Sequence, residues 1–221
     1  AGHPTLGAAW TLRRLGWLEG DEVVQNSAAG PTEVTVDGDE LWFTRTGTSD
    51  PDLADRSPQV VDRLAPALGL ERRALGLEAR ELGRPGRFEP AFADAGLRHL
   101  MVPVGTVDAL GSISVDGAAL PEVSPVGAFC FTATGAGHIR ARAFFPNLGI
   151  PEDPATGSAV ASLGAYLAAR VGPVDVRIDQ GVEMGRPSVL FLKATAEDVR
   201  VGGRCSPIFE ADLEQLPPPR T

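Results

Sequence analysis

A motif that occurs twice constrains this chain more than any other feature. His3-Pro4-Thr5-Leu6-Gly7-Ala8-Ala9 and Asp153-Pro154-Ala155-Thr156-Gly157-Ser158-Ala159 share a polar residue, a proline beside it, a glycine three positions on and an alanine two after that. Each opens a segment free of charge, as far as Arg13 in the first copy and Arg170 in the second. Downstream, Gln25 ahead of Gly30-Pro31-Thr32 is answered by Gln180 ahead of Gly185-Arg186-Pro187-Ser188. A pattern repeated at this distance implies two halves built to one plan. His3 and Asp153 hold the same place in each half, which is where a paired chemistry is expected.

Composition narrows the function classes. The 221 residues are enough for one large or two modest domains with hydrophobic cores. With 29 acidic against 20 basic side chains the net charge is -9, and the basic residues form no cluster, so nucleic acid and anionic membrane are not expected partners. Cys130 and Cys205 lie far apart without metal-ligand spacing, which suits a reducing compartment and predicts neither a disulfide framework nor a metal site. No basic-then-apolar leader and no apolar run of membrane length is present in these residues. A soluble cytoplasmic protein is the default expectation.

The first motif predicts a helix over about 4–16, with Pro4 in its first turn and Gly16 as its stop. Leu6, Ala8, Ala9, Trp10, Leu12 and Leu15 leave no polar stripe, so this helix is expected to be buried on most sides. Residues 34–43 read as a hairpin with Asp37-Gly38 at its tip. A polar connector over 47–87 carries a helix at 58–68 and a loop at Gly83-Arg84-Pro85-Gly86. Strands are then predicted at 97–102, 112–115, 127–133 and 139–145, with Gly135-Ala136-Gly137-His138 as a strand-to-strand turn and not a phosphate loop. The second uncharged helix follows over about 154–169. Strands at 174–178, 188–194, 199–201 and 205–209 complete the pattern, and Pro217-Pro218-Pro219 marks a loose tail.

The architecture implied is strands wrapped round a buried helix, twice. Residues 1–86 form the remainder of a first domain and residues 87–203 a second. Residues 204–221 supply a C-terminal strand and tail returning to the first. The second motif has a long stretch of strand-forming sequence ahead of it and the first has only Ala1 and Gly2, so the first domain lacks its opening strands. The natural protein is therefore expected to start well upstream of Ala1, or another chain to supply the cover.

The first backbone N–H groups of a helix have no partner within it and carry partial positive charge. Each motif thus starts a site able to hold a carboxylate or a developing oxyanion, and two facing starts would clamp a small acid. Gly7 and Gly157 are expected to allow close approach. His3 exchanges protons near neutral pH, and Asp153 can do so if burial raises its pKa. An acid and a base on either side of one carbon is the arrangement a proton shift needs. Plainer roles exist for the same residues: Asp153, Thr156, Ser158 and His3 as helix caps, His99 and His138 as packing residues, and Arg140, Arg142 and Arg186 as surface charges instead of carboxylate holders. Ser158 lacks the second glycine of a nucleophile elbow, which argues against a hydrolase.

Ala1-Gly2-His3-Pro4-Thr5-Leu6-Gly7, Glu152 to Ala159, and Gln180-Gly181-Val182-Glu183-Met184-Gly185-Arg186-Pro187-Ser188, with Phe145-Pro146 ahead of the second, together resemble the signature of the PhzF-like phenazine-biosynthesis family. The resemblance runs from Ala1 to about Gly203 and is weakest over 47–97. It implies an α+β, diaminopimelate-epimerase-like fold: two pseudo-symmetric domains, each a mixed sheet or barrel rolled round a central helix, with the active site in the cleft between them. It also implies isomerase chemistry without metal or cofactor on a small carboxylate-bearing molecule, and a homodimer. The best-known member moves a proton within a dihydro-hydroxyanthranilate ring. Carried over by position, His3 and Asp153 would handle the proton. Gly2, Thr156, Gly157 and Ser158 would line the substrate site, the N–H of Gly157 and the Ser158 hydroxyl holding its carboxylate. The family's principal acid/base is a glutamate upstream of the Gly-His-Pro motif, where this chain begins, so the chain as given is expected to lack it. Thiol-dependent racemases of the superfamily carry cysteine at these helix starts, where this chain has His3 and Asp153. An amino-acid racemase using oxygen and nitrogen bases, and a small-acid binding protein that does no chemistry, are the alternative functions.

Overall fold

A computed structural model describes residues 2–28, 30–46 and 58–211. In chain order the elements are α1 (Gly2–Arg14), β1 (Glu22–Ser27), β2 (Gly30–Asp37), β3 (Glu40–Thr46), α2 (Pro58–Ala67), β4 (Leu77–Glu78), β5 (Arg87–Phe88), β6 (Ala91–Asp94) and β7 (Arg98–Pro103). They continue with α3 (Val107–Gly111), α4 (Ala119–Val123), β8 (Ala128–Gly135), β9 (His138–Phe145), β10 (Ile150–Asp153), α5 (Gly157–Val171), β11 (Val174–Gln180), β12 (Ser188–Ala194) and β13 (Asp198–Arg204).

The repeat read from the motifs is a repeat of structure. Each uncharged helix is followed by a three-stranded antiparallel meander, α1 by β1–β2–β3 and α5 by β11–β12–β13. Gln25 stands opposite Thr32 in one hairpin and Gln180 opposite Ser188 in the other. The meanders join edge to edge, β3 running antiparallel to β13 with Phe43 opposite Val201. The strand order β1-β2-β3-β13-β12-β11 is therefore a palindrome about the β3–β13 seam. On the far side of β11 the sheet continues through β9, β8, β7 and β6, the β11–β9 and β7–β8 pairings being parallel.

Strands β7 to β9 are apolar on both faces because both faces are covered. Met101, Phe129, Phe131, Ile139 and Ala141 point one way, into the core that holds α5. Leu100, Val102, Cys130 and Phe144 alternate with them and meet Leu64, Leu68, Leu110 and Leu120 of an outer helical layer. Helix α5 is buried from Ala159 to Ala168. Its interior polar groups reach neighbouring backbone: Ser162 Oγ donates to the Leu97 carbonyl at 2.8 Å and the Tyr166 hydroxyl to the Glu89 carbonyl at 2.6 Å.

Several expectations need correction. Helix α1 is not buried on most sides: Gly2, Thr5, Leu6 and Ala9 make one inward stripe, Leu12 is half-buried, and Leu15 is 54% exposed. The reason is cover, since among the described residues α1 packs on β2, β3 and the start of α5, whereas α5 is enclosed by β6, β7, β11, β12 and β13. Residues 112–115 form no strand, because the chain turns there after α3 to place Ile113 under the outer layer. Residues 205–209 also form no strand, and Ile208 and Phe209 stand exposed. The strand that crosses to the first meander is β13. Helix α5 begins at Gly157, three residues later than expected, because 154–156 are taken up by a turn described below. The Pro217-Pro218-Pro219 tail lies outside the described residues.

Candidate functional site

The two helices meet start to start, at Gly2 and Gly157. A methyl group built on Gly2 would stand 3.0 Å from the Gly157 Cα and 2.8 Å from the Phe43 ring, and one on Gly157 would stand 3.2 Å from the Gly2 Cα. Only residues without side chains let the two backbones come this close. The expectation that Gly7 would serve this approach of the helices is corrected: among the described residues nothing lies within 4 Å of the methyl that Gly7 lacks. Helix α1 begins at Gly2, two residues earlier than expected, with Pro4 in its first turn. Gly2→Ala is accordingly expected to destabilise the protein by about 1–3 kcal/mol in urea unfolding. Gly7→Ala is expected to be neutral or to stabilise by up to about 1 kcal/mol, through helix propensity alone.

Beside this contact opens a cavity of about 610 Å³, with Gly2, His3 and Leu6 of α1 and Ala155 and Gly157 of the second motif on its wall. The His3 side chain is exposed and borders it. Asp153, Thr156 and Ser158 are not part of that wall, so the structure brings Gly2, His3 and Gly157 to one cavity and holds the other candidate residues in the turn beside it.

That turn is built by Gln180, a fully buried residue at the end of β11. Its amide nitrogen donates to the Asp153 carbonyl at 2.7 Å and to Thr156 Oγ1 at 2.9 Å, and its amide oxygen accepts from the Thr156 N–H at 3.2 Å. Because Thr156 Oγ1 accepts from Gln180, its single proton goes to Asp153 Oδ2, at 2.6 Å. Asp153 is therefore not a helix cap. Thr156 occupies the N-cap position of α5 and gives its hydroxyl away, leaving the first-turn N–H groups without a side-chain cap. Gly181 fixes where β11 ends. Its φ of +76° is accessible to glycine, and an added methyl would lie 3.0 Å from Pro154 and 2.4 Å from the Arg186 carbonyl. Gln180 belongs to the repeat visible in sequence, but only the pairing of β11 under the second motif discloses what it holds.

Ser158, the second residue of α5, lies with its Oγ 3.2 Å from His99 Nε2. His99 sits on the inner face of β7, its ring edge-on to Phe145 at 5.7 Å between centroids. Burial pulls its pKa down from 6.5 to about 4, against a smaller upward influence of Asp94. His99 thus packs in the core, as expected, and also touches Ser158, a contact that no sequence signal marked beyond its place in an alternating strand. The arginines considered as carboxylate holders have other partners. Arg142 Nε and Nη2 donate to the two oxygens of Glu152 at 2.9 and 2.8 Å, and its Nη1 lies within 3.2 Å of the carbonyls of Leu110, Gly111 and Ile113. Arg140 pairs with Glu183 at 2.9 Å. Arg186 is exposed. Burial pushes the thiol of Cys130 far up and that of Cys205 up as well, so neither is a ready thiolate.

Comparison with known proteins decides the family. The family model described as phenazine biosynthesis-like protein, PhzC-PhzF, matches residues 1–211. The chain belongs to the phenazine biosynthesis-like family. A trans-2,3-dihydro-3-hydroxyanthranilate isomerase of Pseudomonas fluorescens is 42% identical over 103 residues, 45% of this chain; the match spans only 36% of that isomerase's length. An uncharacterized isomerase of Mesorhizobium japonicum is 29% identical over an alignment covering 96% of this chain and 75% of that protein. The crystal structure of a PhzF-family phenazine biosynthesis protein from Bacillus anthracis superposes with a TM-score of 0.72 at 21% identity, over 92% of this chain and 72% of that one. The phenazine biosynthesis-like family carries the epimerase-like α+β fold, and the palindromic meanders round α1 and α5 are its form here. No helix of the described residues is long and apolar enough to cross a membrane.

Proposed function

We propose that this protein is a cofactor-independent isomerase that moves a proton between two carbons of a small carboxylate-bearing ring, of the kind named for the Pseudomonas fluorescens relative. The observation that carries this reading is the start-to-start contact of α1 and α5 at Gly2 and Gly157. It brings the positive ends of two helices together, where they can hold a carboxylate and the negative charge that develops when a neighbouring C–H bond breaks. Asp153 takes the proton. Its Oδ2 is anchored by the Thr156 hydroxyl, and its Oδ1 has no partner among the described residues and is left for the reacting carbon. His3 returns a proton at the second carbon. One C–H bond breaks, the double bond moves and another C–H bond forms; nothing is oxidised or reduced.

The test is to supply the protein, expressed from its full reading frame, with trans-2,3-dihydro-3-hydroxyanthranilate in D₂O and follow it by proton NMR. Isomerisation with one solvent deuteron on a ring carbon is expected. Binding without exchange would make this a small-acid binding protein. Exchange at the α-carbon of an amino acid, and not in the ring, would make it a racemase. A homodimer in a reducing, cytoplasmic setting goes with the same reading, the latter supported by the two free cysteines.

A further inference from the structure

We infer that His99 is a positioning residue whose Nε2–H donates to Ser158 Oγ, turning the serine proton outward and making Ser158 a hydrogen-bond donor to an anionic group over the first turn of α5. This rests on the reading that a substrate carboxylate docks there. A neutral imidazole has one N–H, and the surroundings of the ring decide which nitrogen carries it. Nδ1 is buried and has no hydrogen-bond partner among the described residues, while Nε2 lies 3.2 Å from Ser158 Oγ. A proton on Nδ1 would leave a buried N–H donor with no acceptor, which folded proteins rarely tolerate. A proton on Nε2 satisfies the donor and leaves at Nδ1 only an unused acceptor. The doubly protonated ring is excluded at neutral pH, because burial holds the pKa near 4 and only Asp94 opposes it.

The consequence falls on Ser158. Its oxygen accepts from His99 and its own proton has no acceptor among the described residues, so the half-buried side chain can offer it to a ligand. The neighbouring N–H groups of the same turn are also donors, left uncapped because Thr156 gives its hydroxyl to Asp153. The donors of this turn match a carboxylate, which only accepts, and disfavour a carboxamide, which presents an NH₂ face. The selectivity is thus set from β7, beneath the site.

Two measurements test this. In ¹⁵N-labelled protein at neutral pH, long-range proton–nitrogen spectra of the His99 ring should show the neutral form protonated on Nε2; protonation on Nδ1 would overturn the inference. Calorimetric titration should show anthranilate bound more tightly than anthranilamide. Ser158→Ala should weaken anthranilate about tenfold or more, the loss expected for a hydrogen bond to a charged acceptor. His99→Phe should weaken it by a similar factor, add nothing in the Ser158→Ala background, and be largely rescued by His99→Gln, which restores an N–H near the Nε2 position. An undiminished effect of Ser158→Ala in the His99→Phe background would sink the inference while leaving the carboxylate site standing. Failure of the unaltered protein to bind anthranilate would instead count against the carboxylate site, and the ring spectrum would still decide the role of His99.

Discussion

Asp153→Asn, in the protein made from its full reading frame, is expected to lower kcat for ring isomerisation by about a hundredfold or more, with little change in the urea midpoint. The substitution keeps the shape of the side chain and removes its capacity to take a proton. The turn around it should survive. Thr156 Oγ1 can still donate to the amide oxygen of the new residue, and Gln180 still bonds the residue 153 carbonyl and both polar atoms of Thr156. Stability and catalysis are therefore expected to separate, which is the signature of a residue acting on the substrate. A variant that turns over at the wild-type rate would remove Asp153 from the proton transfer. One that unfolds would show that the carboxylate charge is structural.

The largest loss of stability is expected one residue earlier. Glu152→Ala should destabilise the protein by about 3–5 kcal/mol, the range for breaking a buried ion pair by removing one partner. The Arg142 and Glu152 side chains are only 10% and 14% exposed and meet through two hydrogen bonds. Glu152 holds the pKa of Arg142 up against the opposing effect of burial, and a guanidinium, whose ordinary pKa lies far above neutral, stays charged once that partner is gone. Against a total stability of about 5–15 kcal/mol for a typical protein, the loss would lower the urea midpoint markedly. The double variant Arg142→Met/Glu152→Leu should lose far less, because no unpaired charge is left in the interior. If Glu152→Ala unfolded at the wild-type midpoint, the pair would not be what clamps β10, and with it Asp153, onto β9.

Comparison of the two halves shows how far local pattern reaches. The motifs at His3 and Asp153 marked both helices, and the alternation of apolar residues marked β7, β8, β9, β11 and β12 closely. Those signals are local: an uncharged helix and an alternating strand are written in neighbouring residues. The errors fell where packing overrode pattern. Residues 112–115 have strand-like composition but serve as a turn under the outer helices, and α1 carries no acidic or basic side chain between His3 and Arg13 yet is covered on one stripe only. Among the candidate site residues, His3, Gly157 and Asp153 were marked by the repeat. Gln180 was visible as an echo of Gln25 but not as the brace of the Asp153 turn, and His99 was not legible as a partner of Ser158.

The sequence by itself determined that there would be two equivalent halves and which short motif begins each helix, because repetition and hydrophobic spacing act over a few residues at a time. Only the tertiary structure decided that β3 pairs with β13, that Gly2 and not Gly7 touches Gly157, and that Gln180 and His99 reach Thr156 and Ser158. Those contacts join residues dozens of positions apart. They depend on how the sheet carries each strand past the helices, a geometry that no window of sequence contains.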